Sequence, residues 1–165
     1  MSDVLLISCY ELGHQPLSVA SPLALLHDAG YSPAALDLAV GPLDPAAIAR
    51  ARFVAIAVPM HTALRLGARA AERVRSLNPE CHVCLYGLYA TLNAETLLAR
   101  GADSIIGGEF EEPLLGLVRS LESGYAPPVP GVRQPGRLAG PWIRKIDFAV
   151  PRRDPLPPLG RYARV

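Results

Sequence analysis

The stretch Phe53-Val54-Ala55-Ile56-Ala57-Val58-Pro59, running on into His61 to Leu77, decides how this chain is read. Its apolar residues do not alternate with polar ones, as in a strand buried on both faces of a parallel sheet. Pro59 stops the run. Beyond it Ala63, Leu66, Ala70, Val74 and Leu77 recur at helical spacing, while Arg65, Arg69 and Arg73 take another face. That is a strand–turn–helix unit, and such patterns alternate on both sides of it. Upstream lie a strand at Val4–Cys9, a helix opened by Ser21-Pro22 and closed by Gly30, a strand at Ala34–Leu38, and a short helix capped by Asp44-Pro45 and ending at Arg50. Downstream lie a strand at Cys81–Tyr86, a helix from Asn93 to Arg100 closed by Gly101, a strand at Ser104–Ile106, and a helix from Glu109 to Leu121 with Pro113 in its first turn. Five successive units predict an α/β fold: a flavodoxin-like, doubly wound, five-stranded parallel sheet of order 2-1-3-4-5.

The chain has 165 residues, half of them apolar and 19% charged, which suits one soluble globular domain. Lys and Arg number 16 against 15 Asp and Glu, so neither a nucleic acid nor a membrane surface is an expected partner. Lys145 stands alone among arginines. Met1-Ser2-Asp3 opens with an acid and the following apolar run is short, so no secretory signal is read, and no stretch is long enough to span a membrane. The expected location is cytoplasmic. Of the 17 prolines, nine fall between Pro127 and Pro158. The expected division is therefore a compact domain over 1–122 and a Pro/Gly-rich linker and extension over 123–165. Within the extension, Ser123–Gly140 reads as loop, Trp142–Val150 as one strand, and Pro151–Val165 as a tail unable to hold a regular element. Leu156, Leu159 and Tyr162 of that tail are costly to leave exposed together and are expected to dock on an apolar surface.

Ligands of doubly wound sheets bind beyond the carboxyl ends of the strands, where the strand order switches. This selects the loops Tyr10–Pro16, Pro59–Thr62, Gly87–Asn93 and Gly107–Glu112, which carry Tyr10, Glu11, His14, His61, Tyr89, Thr91 and Glu109. His14 and His61 can each offer an imidazole to a ligand; equally, His61 can cap its own helix and His14 can be a solvated loop residue. Gly107-Gly108-Glu109 is a close-approach turn before a helix. Its neighbouring carboxylates disfavour phosphate there, and also suit the helix dipole without any function. Cys81-His82-Val83-Cys84 has metal-ligand spacing, yet residues three apart on a strand face opposite ways, so neither a zinc pair nor a dithiol is expected. Cys9 reads as a small core residue, His27 and His82 as structural. A catalytic centre is not found.

Certain segments resemble a known series. Tyr86-Gly87-Leu88-Tyr89-Ala90-Thr91, then Asn93-Ala94-Glu95, Gly101-Ala102-Asp103 and Gly107-Gly108-Glu109-Phe110-Glu111, are similar to the fourth- and fifth-strand region of the cobalamin-binding domain of radical S-adenosylmethionine enzymes. Tyr10-Glu11-Leu12-Gly13-His14-Gln15-Pro16 with Ala20-Ser21-Pro22 resembles one subfamily, whose longer members end in a Cys/Sec-Ala-Glu-Pro tail. Pro155-Leu156-Pro157-Pro158-Leu159-Gly160-Arg161-Tyr162 resembles the linker that precedes the radical barrel. The resemblance implies a cobalamin site lined by His14, His61, Gly87, Tyr89, Thr91, Gly107, Gly108 and Glu109. It implies a radical S-adenosylmethionine barrel as partner in the same longer chain, and that barrel would carry the iron–sulfur cluster and S-adenosylmethionine.

The sequence departs from the series in three ways. It has no Cys-x-x-x-Cys-x-x-Cys for a cluster and no Asp-x-His-x-x-Gly to supply a cobalt-ligating histidine, and Leu88-Tyr89 replaces the usual Gly-Pro-His. The expected role is a cobalamin-binding accessory domain that positions the corrin for methyl or electron transfer and catalyses nothing alone. A degenerate, cofactor-free interaction domain is the alternative, favoured by the bulk of Leu88-Tyr89. A free-standing enzyme on the same fold would need a catalytic centre.

Overall fold

A computed structural model describes residues 4–124 and 128–163. Met1-Ser2-Asp3, part of the loop after Ser123 and the last two residues of the tail lie outside them. The strands are β1 (Val4–Ser8), β2 (Ala34–Asp37), β3 (Phe53–Ala57), β4 (His82–Tyr86), β5 (Ser104–Ile106) and β6 (Val132–Arg133). The helices are α1 (Leu17–Asp28), α2 (Pro45–Arg50), α3 (His61–Leu77), α4 (Leu88–Leu92), α5 (Ala94–Ala99) and α6 (Glu111–Ser123), with one 3-10 turn at Leu159–Arg161. The sheet order is β2-β1-β3-β4-β5-β6. Among the described residues no helix is long and apolar enough to cross a membrane.

The first five strands are parallel in the expected order. The sixth was not expected: Val132–Arg133, inside the presumed loop, pairs antiparallel with β5. Period-two alternation divides the buried side chains between two layers. Leu5, Ile7, Val54, Ile56, Val83, Leu85 and Ile105 meet α2, α3 and α5 through Ile48, Ala70, Val74, Ala94 and Leu97. Leu6, Ala55, Cys84, Tyr86 and Ile106 meet α1 and α6 through Val19, Leu23, Leu26, Leu114 and Leu117. Register pairs Ser8 with Asp37 and Ala57, and Ala57 with Tyr86. The carboxyl ends therefore finish level, and their loops share one edge.

Helix α1 starts four residues before the expected Ser21, and Pro22 lies inside it. Glu11 explains the early start, because its carboxylate accepts from the Leu17 amide (3.0 Å) and the Ser18 hydroxyl (2.6 Å) at the first turn. Pro22 has no N–H for the Ser18 carbonyl four residues back. The buried Tyr86 hydroxyl donates to that carbonyl instead, at 2.8 Å. A side chain from the sheet thus replaces the missing helical bond.

Other expectations shift for local reasons. The loop Gly87–Asn93 is mostly helix: Gly87, at φ 105°, turns the chain directly from β4 into α4, and α5 follows. Helix α6 begins at Glu111, not Glu109. Trp142–Val150 is not a strand; Trp142 makes a single parallel bridge to Gly108. The tail docks as expected through Leu156, which joins the α1–α6 layer, and through Tyr162, which is buried beside Asp37. Leu159 stays 47% exposed and lies in the 3-10 turn that the prolines had argued against.

Replacing Tyr86 by Phe leaves the Ser18 carbonyl without its donor and should cost about 1–2 kcal/mol in urea unfolding. In a Pro22→Ala background the helix regains the amide, so the same substitution should cost less than half as much. Equal costs in both backgrounds would contradict this account of Pro22.

Candidate functional site

The edge formed by the carboxyl ends gathers four loops around the switch point between β1 and β3. In the first, the His14 amide donates to the Glu11 carbonyl at 3.0 Å. Leu12 (φ 54°) and Gly13 (φ 81°) both have positive φ in that turn, as a type I′ turn requires. Glycine adopts this freely, but leucine pays about 1 kcal/mol or more for it. Leu12 is nonetheless 54% exposed, held up at the edge rather than folded into the core.

His61 begins α3 and is exposed, and its ring meets the Tyr89 ring edge-on with centroids 6.3 Å apart. Tyr89 reaches that position because α4 starts at once: Gly87 approaches the Val58 carbonyl so closely that a Cβ would sit 3.0 Å from its oxygen. The Tyr89 amide then donates to the same oxygen at 3.2 Å. Thr91 turns inward, its hydroxyl donating to the Gly87 carbonyl at 3.1 Å. Gly107 leaves room for that side chain, since a Cβ there would overlap the Thr91 hydroxyl. Leu88 and Leu92, 61% and 70% exposed, extend the apolar rim.

The Gly107-Gly108-Glu109 turn is held by the chain itself. The Trp142 amide donates to the Gly107 carbonyl (2.8 Å) and the Glu109 amide to the Trp142 carbonyl (2.6 Å). A Cβ on Gly108 would overlap that same carbonyl. From there the extension crosses beside α1. The Arg152 amide donates to the Ala20 carbonyl, Gln15 donates to the Pro157 carbonyl, and Arg161 donates to the Val40 carbonyl beyond β2. A strap therefore covers the α1–α6 side of the edge, while among the described residues none crosses the α3–α4 side.

Of the residues singled out from the sequence, the fold brings His61 to Tyr89, and Thr91 to Gly87 and Gly107. It brings Gly108 and Glu109 to Trp142. The His14 side chain is exposed and makes no hydrogen bond or ring contact among the described residues. Glu11 caps α1. Leu12 and Trp142 were missed: a leucine with positive φ and a tryptophan pairing with a turn some thirty residues upstream leave no local signal.

Elsewhere the chemistry is structural. Cys81 and Cys84 belong to opposite layers, as strand geometry requires. Burial pushes the Cys9 and Cys84 thiols up to about 12 and Cys81 to about 11, so none supplies a thiolate at neutral pH. Among the described residues no group of three or more His, Cys, Asp or Glu could hold a metal. A cavity of about 920 Å³ opens at the opposite, amino edge. Part of its polar lining serves the fold: Arg75 binds Asp103 at 2.5 Å and the Pro79 and Cys81 carbonyls, and His82, whose pKa burial lowers, pairs with Ser104, while the Arg50 and Arg52 side chains have no hydrogen-bond or ion-pair partner among the described residues.

The chain is similar in structure to the radical S-adenosylmethionine methyltransferase TsrM from Kitasatospora setae. Against TsrM with tryptophan substrate and the analogue aza-SAM bound, the TM-score is 0.68 at 18% identity, over 79% of this chain and 28% of that one. Against TsrM with cobalamin and a [4Fe-4S] cluster bound, it is 0.67 at 17% identity, over 81% and 29%. The chain spans less than a third of the TsrM chain it matches. At these identities the likeness establishes the fold. No protein-family model and no curated protein matches the sequence.

Gly108→Ala should expel Trp142 from the turn. Because Trp142 is the single tryptophan, its emission should move to the red and its quenching by acrylamide should rise. Unchanged emission would show that the strap does not depend on this turn.

Proposed function

We propose that this domain binds cobalamin at the open, α3–α4 side of its carboxyl edge and positions the corrin for a radical S-adenosylmethionine catalytic portion of a longer chain. The observation that carries the reading is the rim itself. Leu12 in the loop after β1, and Leu88 and Leu92 on α4 after β4, are exposed, and the His61 and Tyr89 rings meet on the same carboxyl edge, where a doubly wound sheet binds ligands. Its likeness in fold to TsrM, a chain solved with cobalamin bound, supports the same reading.

The residues suit the group on this side. A corrin is a broad, largely apolar disc with amides at its periphery. Leu12, Leu88 and Leu92 would take its faces and edges, and His14, His61 and Tyr89 would meet its amides. Gly87 and Thr91 fix Tyr89 in place from below. On the β5 side the Gly107-Gly108-Glu109 turn is held by Trp142, so it would border the site and not admit the ring to its backbone. When bound, cobalamin supplies a cobalt that carries a methyl group or exchanges an electron. The chain's own residues bind and orient the cofactor and exclude water from its rim.

A second reading has its own observation. Trp142 and Thr91 account for Gly108 and Gly107 without any ligand. That favours a cofactor-free domain of the same architecture, used for interaction with a catalytic portion.

Gel filtration after mixing with hydroxocobalamin separates the two. The cobalamin reading expects pigment to co-elute with the protein, and Tyr89→Ala to weaken retention about tenfold or more. Colourless protein ahead of all the pigment would favour the second reading.

A further inference from the structure

The cavity of about 920 Å³ at the amino edge lies over the first row of the sheet. Val4, Phe53 and His82 are register partners on neighbouring strands, so their side chains share the α1–α6 face. The Phe53 and His82 rings stack, with centroids 5.6 Å apart and planes 26° from parallel. Ser104 fixes the imidazole in that plane through Nε2, at 2.9 Å. Phe53 is buried and His82 only half-buried, so the imidazole is the part of this aromatic floor that meets the cavity. Its Nδ1 has no partner among the described residues, and burial lowers its pKa, so the ring adds a neutral polar atom at pH 7. Tyr31 and Leu121 form walls, and the Tyr31 hydroxyl is anchored to Glu122 at 2.8 Å. The volume falls within the roughly 300–1,000 Å³ of small-molecule sites.

The charges in the lining are set apart from one another. Arg50 and Arg52 lie together on the segment between α2 and β3. Lacking a partner does not single them out, because Arg65, Arg69 and Arg73 share that property. Their backbone does. Ala51 between them is extended (φ -76°, ψ 134°) and buried, so both arginines turn outward at one rim of the cavity. The Asn78 side chain clamps the segment by donating to the Ile48 carbonyl (2.9 Å) and the Ala51 carbonyl (2.8 Å), and the His82 amide donates to the Arg52 carbonyl (3.0 Å). Two guanidinium groups on a clamped segment are preorganised for a single anionic group.

The acids lie on other segments. Asp103 is taken by Arg75 and the Val83 amide, and Glu122 by Tyr31. Glu80 is exposed and has no partner among the described residues. A ligand matched to this lining has an anionic group for the arginines, a flat ring for the aromatic floor and hydroxyl donors for Glu80. A nucleoside monophosphate has all three.

We infer that the amino-edge cavity binds a nucleoside monophosphate, with Arg50 and Arg52 on the phosphate, His82 and Tyr31 against the base, and Glu80 accepting from the ribose diol. The inference goes beyond the cobalamin reading and does not rest on it, because this cavity and the rim lie at opposite ends of the strands.

Isothermal titration calorimetry of the purified chain with AMP, CMP, GMP and UMP tests it. Inorganic phosphate, the matching nucleosides and the matching 2′-deoxynucleotides are the comparison compounds. The variants are R50A/R52A, Glu80→Ala, and Arg73→Ala outside the cavity, with circular dichroism to check that each folds. At least one mononucleotide should bind the wild type about tenfold or more tighter than phosphate or its nucleoside, and R50A/R52A should weaken it about tenfold or more. Arg73→Ala should change nothing, and Glu80→Ala should abolish a preference for the ribose over the deoxyribose form. No mononucleotide binding to the wild type would overturn the inference. So would phosphate or nucleoside binding as tightly as the nucleotide, an R50A/R52A variant that binds like the wild type, a loss shared by Arg73→Ala, or a ribose preference that survives Glu80→Ala. Hydroxocobalamin is absent throughout, so each result stands whatever the rim binds.

Discussion

Everything in this molecule follows from burying parallel strands on both faces. A strand covered by helices on either side has no solvent face, which is why Val4–Ser8 and Phe53–Ala57 are buried along their whole length. Parallel neighbours need right-handed crossovers, so the helices must leave from one edge and return at the other. With β1 at the switch between β2 and β3, the loops of opposite sense part at the carboxyl edge. The rim of Leu12, His61, Tyr89 and Leu88 exists because the level register puts those loops side by side.

The same burial creates polar demands that distant side chains meet. Pro22 strands the Ser18 carbonyl, and Tyr86 answers it from the middle of the sheet. The first turn of α1 needs an acceptor, and Glu11 provides it. Ser21 donates to the buried Glu111 carboxylate at 2.7 Å, joining α1 to α6 under the strap. These contacts sit on the α1–α6 side of the edge, which is the side the proline-rich extension covers. Among the described residues the opposite side has no such covering. The division into a strapped half and an open half is what gives the edge one direction of approach.

How much of this was legible depends on whether the signal was local. The apolar runs named the strands, because burial on both faces writes a continuous pattern in the central ones, and the order followed from the topology that successive strand–helix units favour. The α2 cap at Asp44 and the turn at Pro59 were equally local. The start of α1 was not, because its capping carboxylate lies six residues before Leu17 and the partner of its interior proline is a tyrosine 68 residues from Ser18. At the rim, the ligand-edge rule named His61 and Tyr89 as residues of two loops on one edge, and it gave no sign that their rings meet there. It read Gly107 and Gly108 as openings for a ligand, whereas Thr91 and Trp142 occupy the space those glycines leave. Glycine signals close approach, but a single sequence does not say what approaches.

The central claim is that the α3–α4 half of this edge is the ligand face. Hydrogen exchange with and without hydroxocobalamin tests it most directly, because it reports position as well as binding. The account predicts slowed exchange in peptides covering Leu12–His14, His61–Leu66 and Leu88–Thr91, with no change in the strap from Arg152 to Tyr162. Protection confined to the strap, or to the amino edge around His82, would contradict it.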